Sequence, residues 1–171
     1  MIGGAVAVWA WGEPRTTQDL DMVINLRPTQ AATLSKALEK IEIYLPSDII
    51  LDNLVEAKAD LPLNAIHGSS GFKAEFFTLK EGDVHRKRAL ERKTLVDFGP
   101  PLGKVYVHSP EDLILYKMQY FSLSDQPKHI RDIGSILKAN VRPIDKEYLQ
   151  NWAKKLGLIS IWEAIEAELM K

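Results

Sequence analysis

Cysteine is absent from the 171 residues, which excludes disulfides, thiolate nucleophiles and cysteine-ligated zinc. The four histidines, His67, His85, His108 and His129, show no His-Glu-x-x-His spacing and have no cysteine partners, which argues against a zinc site. No G-x-x-x-x-G-K-[ST] loop and no G-x-S-x-G element occur, which removes P-loop and serine-hydrolase chemistry. Net charge is also lacking. Twenty-two basic residues face 23 acidic ones, for a formal charge of −1, so no global field draws the chain to nucleic acid or membrane. No apolar run approaches the ~18–20 residues of a membrane span, and no basic, apolar leader follows Met1. The expectation is a cytoplasmic protein with no membrane partner.

What remains is an ordinary globular composition, 46% apolar and 26% charged, of a length suited to one domain or to one with a small appendage. The chain is organised around residues 3–25, GGAVAVWAWGEPRTTQDLDMVIN. Strand residues two apart point to one face, roughly 6.5–7 Å apart along the strand. Asp19 and Asp21 therefore aim two carboxylates into one small volume. Carboxylates that close raise each other's pKa unless a cation neutralises them, and hard oxygen ligands suit Mg²⁺ or Mn²⁺. Gly3-Gly4 supplies backbone that can turn sharply and let a phosphate reach its N–H groups. A helix from Ala5 to Trp11 would place a positive N-terminus at the same point. A phosphate cradle beside a metal-binding carboxylate pair is what metal-assisted nucleotidyl transfer needs.

Further along, residues 22–26 read as a strand, 29–40 as a helix and 41–45 as a short ambiguous strand. Residues 47–59 hold a short helix, 61–67 form a strand, and 68–71 a turn. Residues 72–79 are the clearest remaining strand, with Glu75 and Lys73 on one face and Ala74 and Phe76 on the other. A third carboxylate from a neighbouring strand, Glu75, would complete a two-metal scheme. His85-Arg86-Lys87-Arg88 and Arg92-Lys93 read either as a solvated charged face or as a contact for acceptor RNA or triphosphate. A strand at 103–108 precedes the helix start Ser109-Pro110-Glu111-Asp112, a cap with proline and acids in the first turn. Helices follow from there to about Ser122, from Lys128, over 143–156 and over 160–170, the last opened by a capping box at Ser160 and Glu163. The domain reading is a core over 1–108 and a helical part over 109–171. The four tryptophans, Trp9, Trp11, Trp152 and Trp162, are expected in or near the core.

The pattern GG-A-V-A-x-x-x-x-G-E-P-R-T-T-x-D-L-D closely resembles the first motif of the DNA polymerase β-like nucleotidyltransferases. Its nearest likeness is the small bacterial and archaeal branch related to AbiEii-type toxins. E-D-L-x-x-x-K followed by K-H-I-R-D-I-x-x-I-L resembles a further region of the AbiEii-like proteins. The resemblance implies an α/β (α+β) fold: a short mixed sheet backed by helices, with the C-terminal helices closing a cleft. It implies that Asp19, Asp21 and Glu75 hold Mg²⁺, with Glu75 standing where the better-known polymerases carry Asp. It also implies that Gly3, Gly4, Arg15, Thr16, Thr17 and Lys117 bind a nucleoside triphosphate, with Arg131 and Asp132 nearby. The expected activity moves a nucleoside monophosphate to a hydroxyl of an RNA end such as tRNA, a protein or a small molecule. The alternative is a catalytically silent member acting as a binding or toxin–antitoxin partner. In the resembling family a helix and most of a strand precede the glycine pair, where Met1-Ile2 stand here; either that helix is absent or the start lies upstream, and a sheet lacking its outer helix is expected to be covered in a homodimer.

Overall fold

The computed structural model describes residues 1–55 and 61–169. The glycine pair opens helix α1 (Gly4–Trp11), whose residues Ala5, Val6, Ala7, Val8 and Trp11 are all buried. A helix apolar on nearly every side is a core helix, and α1 lies between a sheet and two long C-terminal helices. The sheet is built from β1 (Asp19–Ile24), β2 (Ile43–Tyr44), β3 (Leu63–His67) and β4 (Lys73–Thr78), in the spatial order β1-β4-β3-β2. β1 runs parallel to β4, while β3 is antiparallel to both β4 and β2. A second, two-stranded sheet joins β5 (Thr94–Asp97) to β6 (Lys104–Val107). Ile2 links the two sheets, its N–H donating to the Tyr106 carbonyl at 2.7 Å while its own carbonyl accepts from the His108 N–H at 3.0 Å. On the other side the Val23 N–H donates to the Met1 carbonyl and the Gly3 N–H to the Asp21 carbonyl, both at 2.8 Å.

The alternation of β1 and β4 decides where the site lies. Leu63, Ala65, Ala74 and Phe76 point to one face and pack with Ala31 and Leu38 of α2 (Ala31–Glu39) and Ile50 of α3 (Ser47–Val55). The residues between them, Asp19, Asp21, Lys73 and Glu75, must then point to the other face. A second core gathers α1, β6 and the helices α5 (Pro110–Ser124), α6 (Pro127–Ala139), α7 (Lys146–Lys155) and α8 (Ile159–Leu169) around Trp11, Leu115, Met118, Ile133, Leu149 and Trp162. α4 (Val84–Glu91) leads into β5. A buried polar knot clamps that junction to the helices. Arg92 reaches Glu111 at 2.9 Å and Asp112 at 3.2 Å, Arg142 reaches Glu111 at 2.9 Å, and the Tyr148 hydroxyl donates to Asp112 at 2.6 Å. Buried charges persist only when paired in this manner.

Several sequence expectations shift. β1 holds Asp19 and Asp21 in extended strand, pairing with β4 from Lys73, and it ends at Ile24 rather than at residue 26. β5 was not expected: its four residues gain strand structure only from β6. α7 starts after the cap Asp145, which accepts from the Tyr148 N–H at 2.9 Å, and not at Pro143. α8 starts at Ile159, so Ser160 lies inside the helix and the capping box does not form. Trp11 and Trp162 are core residues, but Trp9 is 36% exposed, its indole N–H donating instead to the Arg15 carbonyl at 3.2 Å. The expected helical residues 56–59 and Met170 lie outside the described residues.

Candidate active site

A cleft of about 610 Å³ opens on the face of β1 and β4 away from α2 and α3. Its floor is Asp19, Asp21 and Glu75, and its rim is the turn Arg15-Thr16-Thr17-Gln18 with Gly4 and Ala5 of α1. Lys117 and Tyr120 of α5, together with Gln126, Lys128 and His129 around the start of α6, form the opposite wall. Register brings the floor together: Asp21 lies opposite Glu75, and Asp19 opposite Lys73. The Lys73 ammonium stands between the acids, 2.6 Å from Glu75 Oε1 and 3.5 Å from Asp19 Oδ1. Burial, then the charge of Glu75, pushes the Asp21 carboxyl up to about 6, against the pull of Lys117.

The glycine pair is explained by contacts within the fold. Gly4 sits at φ +56°, a left-handed backbone that side chains rarely adopt. A Cβ there would overlap Asp21 Oδ2. A Cβ on Gly3 would come within 3.0 Å of the His108 imidazole. Gly4 lines the cleft as well, while Gly3 lines a smaller cavity of about 30 Å³ behind the carboxylates. The two glycines thus let α1 start directly against Asp21 and His108.

On the opposite wall Asp132 binds two cations at once. Arg15 Nε and Nη2 reach its two carboxylate oxygens at 2.9 and 3.2 Å, a fork-to-fork pair, and Lys117 Nζ reaches Oδ2 at 2.6 Å. Burial would raise Asp132, yet the Arg15 hydrogen bond and the Lys117 charge hold it below the usual carboxylate range. Burial pulls Lys117 below the usual lysine range, with Asp132 opposing. Asp132 therefore contacts the two basic side chains and positions them at the cleft, whereas Arg131 beside it in sequence is exposed and does not line the cleft. Thr17 Oγ1 donates to the Asp19 carbonyl at 3.1 Å, tying the rim to the floor; Thr16 is exposed on the same rim.

The basic run of α4 does not act as a unit. Arg86 is buried, its guanidinium donating to the Thr78 carbonyl and pairing with Asp83, and Arg92 belongs to the polar knot. Lys87, Arg88 and Lys93 remain exposed. Sequence reasoning missed Tyr120, Gln126, Lys128 and His129 as cleft residues. Lys128 and His129 lie in the very K-H-I-R-D segment that carries the resemblance, but nothing in their spacing shows that the turn before α6 folds over the cleft. His129 stacks with Tyr120 at 5.8 Å between ring centroids.

Three carboxylates offer the all-oxygen donor set that a hard divalent ion prefers, and burial with the neighbouring Glu75 charge makes the Asp21 carboxylate costly to hold without a cation. The residues therefore fit Mg²⁺ by donor chemistry. Among the described residues, however, no three acidic or histidine side chains stand as a ready metal cluster, and Lys73 pairs with two of the acids.

No protein-family model and no curated protein matches the chain. Solved structures do share its architecture. The solution structure of the antibiotic-resistance factor ANT(2'')-Ia aligns with a TM-score of 0.54 and 17% identity, over 99% of this chain and 84% of that one. The crystal structure of an antigenic nucleotidyltransferase-like protein from Paracoccidioides brasiliensis aligns with a TM-score of 0.50 and 19% identity, over 97% and 83%. The fold is nucleotidyltransferase-like, a mixed α/β sheet with helices, as the N-terminal motif implied. Among the described residues no helix is long and apolar enough to cross a membrane.

Proposed function

We propose that this chain is a metal-dependent nucleotidyltransferase that moves a nucleoside monophosphate from a nucleoside triphosphate to an acceptor hydroxyl in the cytoplasm. The observation that carries the reading is the convergence of Asp19, Asp21 and Glu75 from two parallel strands, facing Lys117 and Arg15 across one cleft. Asp19, Asp21 and Glu75 would hold Mg²⁺, which when bound makes the acceptor oxygen a better nucleophile and neutralises the departing pyrophosphate. Lys117 and Arg15, oriented by Asp132, set positive charge where the triphosphate must lie. Thr16, Thr17 and the start of α1 at Gly4 offer further donors along the rim. The acceptor hydroxyl gives its proton to a floor carboxylate, its oxygen forms a bond to the α-phosphorus, the bond to the bridging oxygen breaks, and pyrophosphate leaves.

The resemblance to AbiEii-type proteins supports a toxin-like role with a cognate antitoxin as partner. Exposed Tyr44 and Ile66, at 74% and 52% and paired across β2 and β3, support a homodimer. A second reading, a silent binding partner, is favoured by one observation: Lys73 already neutralises part of the carboxylate floor. Incubation with each α-labelled triphosphate, Mg²⁺ and cell extract decides between them. Label should appear in an RNA, protein or small-molecule product with wild type and vanish with Asp19→Asn/Asp21→Asn. No transfer from any triphosphate leaves the silent reading.

A further inference from the structure

We propose that Lys73 is a tethered cation that occupies the carboxylate floor whenever no divalent ion is bound, and that metal binding requires it to swing out. The inference rests on the reading of Asp19, Asp21 and Glu75 as metal ligands, and it adds a regulator to that site. Its basis is geometric. The parallel register sets Lys73 opposite Asp19 and two residues from Glu75 on the same face. The ammonium spans the two acids at 3.5 and 2.6 Å, so one lysine engages two of the three ligands.

Lys73 is also free to leave. Its side chain is 35% exposed, and the residue beside it on β3, Ile66, is itself exposed. A lysine is a compact charge on a flexible four-carbon stem, so the ammonium can turn outward and regain its hydration. A doubly charged ion in the same place interacts about twice as strongly with each carboxylate at equal distance. Exchange of ammonium for metal sets that attraction against the ion's own reluctant dehydration, and it is weaker than metal binding to a floor without the lysine. Lys73 thus keeps the floor assembled without metal and raises the ion concentration needed to load it.

The test measures Mn²⁺ affinity by calorimetry without nucleotide, on wild type, Lys73→Met and Lys73→Arg, each checked for folding by circular dichroism. Lys73→Met should bind Mn²⁺ tenfold or more tightly than wild type and melt lower when metal-free, because its acids then repel. Lys73→Arg keeps a cation and should bind near the wild-type affinity. In wild type, the Lys73 ¹³Cε resonance should shift on titration with Mg²⁺, a readout that needs no variant to fold. Equal or weaker Mn²⁺ binding by Lys73→Met, or an unmoved ¹³Cε resonance at saturating Mg²⁺, overturns the tethered cation. If label transfer persists in wild type, that failure leaves the nucleotidyltransferase reading standing. Absence of Mn²⁺ binding in both wild type and Lys73→Met overturns the tethered cation and the metal assignment together.

Discussion

Gly4 starts α1 at a φ of +56°, hard against the Asp21 carboxylate. The sequence marks a glycine pair beside an Asp-x-Asp, and a phosphate approach is the natural reason for it. The structure adds a nearer one: the Asp21 carboxylate lies where a Gly4 side chain would begin. Gly4→Ala must therefore disturb the carboxylate floor as well as the rim. A left-handed non-glycine residue costs about 1–2 kcal/mol, and Asp21 must also leave its position. We expect Gly4→Ala to lower the melting temperature and to reduce the Mn²⁺-induced stabilisation seen by thermal shift. A full Mn²⁺ response in Gly4→Ala would mean that Asp21 finds the metal from another rotamer. His108 lay beyond sequence reasoning for a related reason, since only the fold sets its ring against Gly3.

At the scale of elements, α5 and α6 matter because they bring Lys117 and Asp132 together at the cleft. Both residues sit in helices expected from the sequence: Ser109 caps α5, accepting from the Asp112 N–H at 3.1 Å, and α6, expected from Lys128, opens one residue earlier at Pro127. The helices were therefore legible, and so was the strand carrying Glu75. The pairing between them was not, because an ion pair 15 residues apart across a turn leaves no periodic trace. β5 was missed for a similar reason: four residues alternating between half-buried and exposed give too short a signal until a partner strand is known. The Asp132 pairing predicts a sharp contrast between neighbours. Asp132→Ala strands the buried Lys117 and frees Arg15, and loss of one partner of a buried pair costs about 3–5 kcal/mol. Arg131→Ala removes an exposed side chain and should stay within about 0.5 kcal/mol of wild type. Urea unfolding of the two variants checks this; equal stabilities would show that Asp132 does not hold the wall. Triphosphate binding by Arg131→Ala should likewise match wild type, whereas Lys117→Ala should weaken it tenfold or more, about 1.4 kcal/mol.

Across the whole molecule, three histidines are held neutral by the fold, and the sum of their effects outweighs any single group. Burial lowers His85, lowers His108 to about 3 and lowers His129 to about 4. After burial, the N-terminal amine and His85 add to the shift at His108, and Lys117 and Lys128 add to that at His129. A histidine whose folded pKa lies below its unfolded value of about 6.5 leaves the unfolded chain binding more protons, so stability falls as pH drops below 6.5. Asp21 works in the opposite sense. Raised to about 6, it takes up a proton in the folded state first and adds stability between pH 6 and its unfolded pKa near 3.8. Glu111 and Asp132, both lowered, enter only as the pH nears the ordinary carboxylate range and then destabilise further. Between pH 6.5 and 5 three histidines thus oppose one carboxyl. Each group contributes at most about 1.4 kcal/mol per pH unit, so His108 and His129 set against Asp21 give a net loss on the order of 2 kcal/mol over that interval, and His85 adds to it in the same direction. Urea melts without divalent ion at pH 7.5, 6.5, 5.75 and 5 measure it. His108→Leu should flatten the slope by about one proton, because its ring is the most deeply enclosed of the three and makes no hydrogen bond through either nitrogen. A stability that stays level from pH 7.5 to 5 in wild type would show that these rings take up protons in the folded state as readily as in the unfolded one.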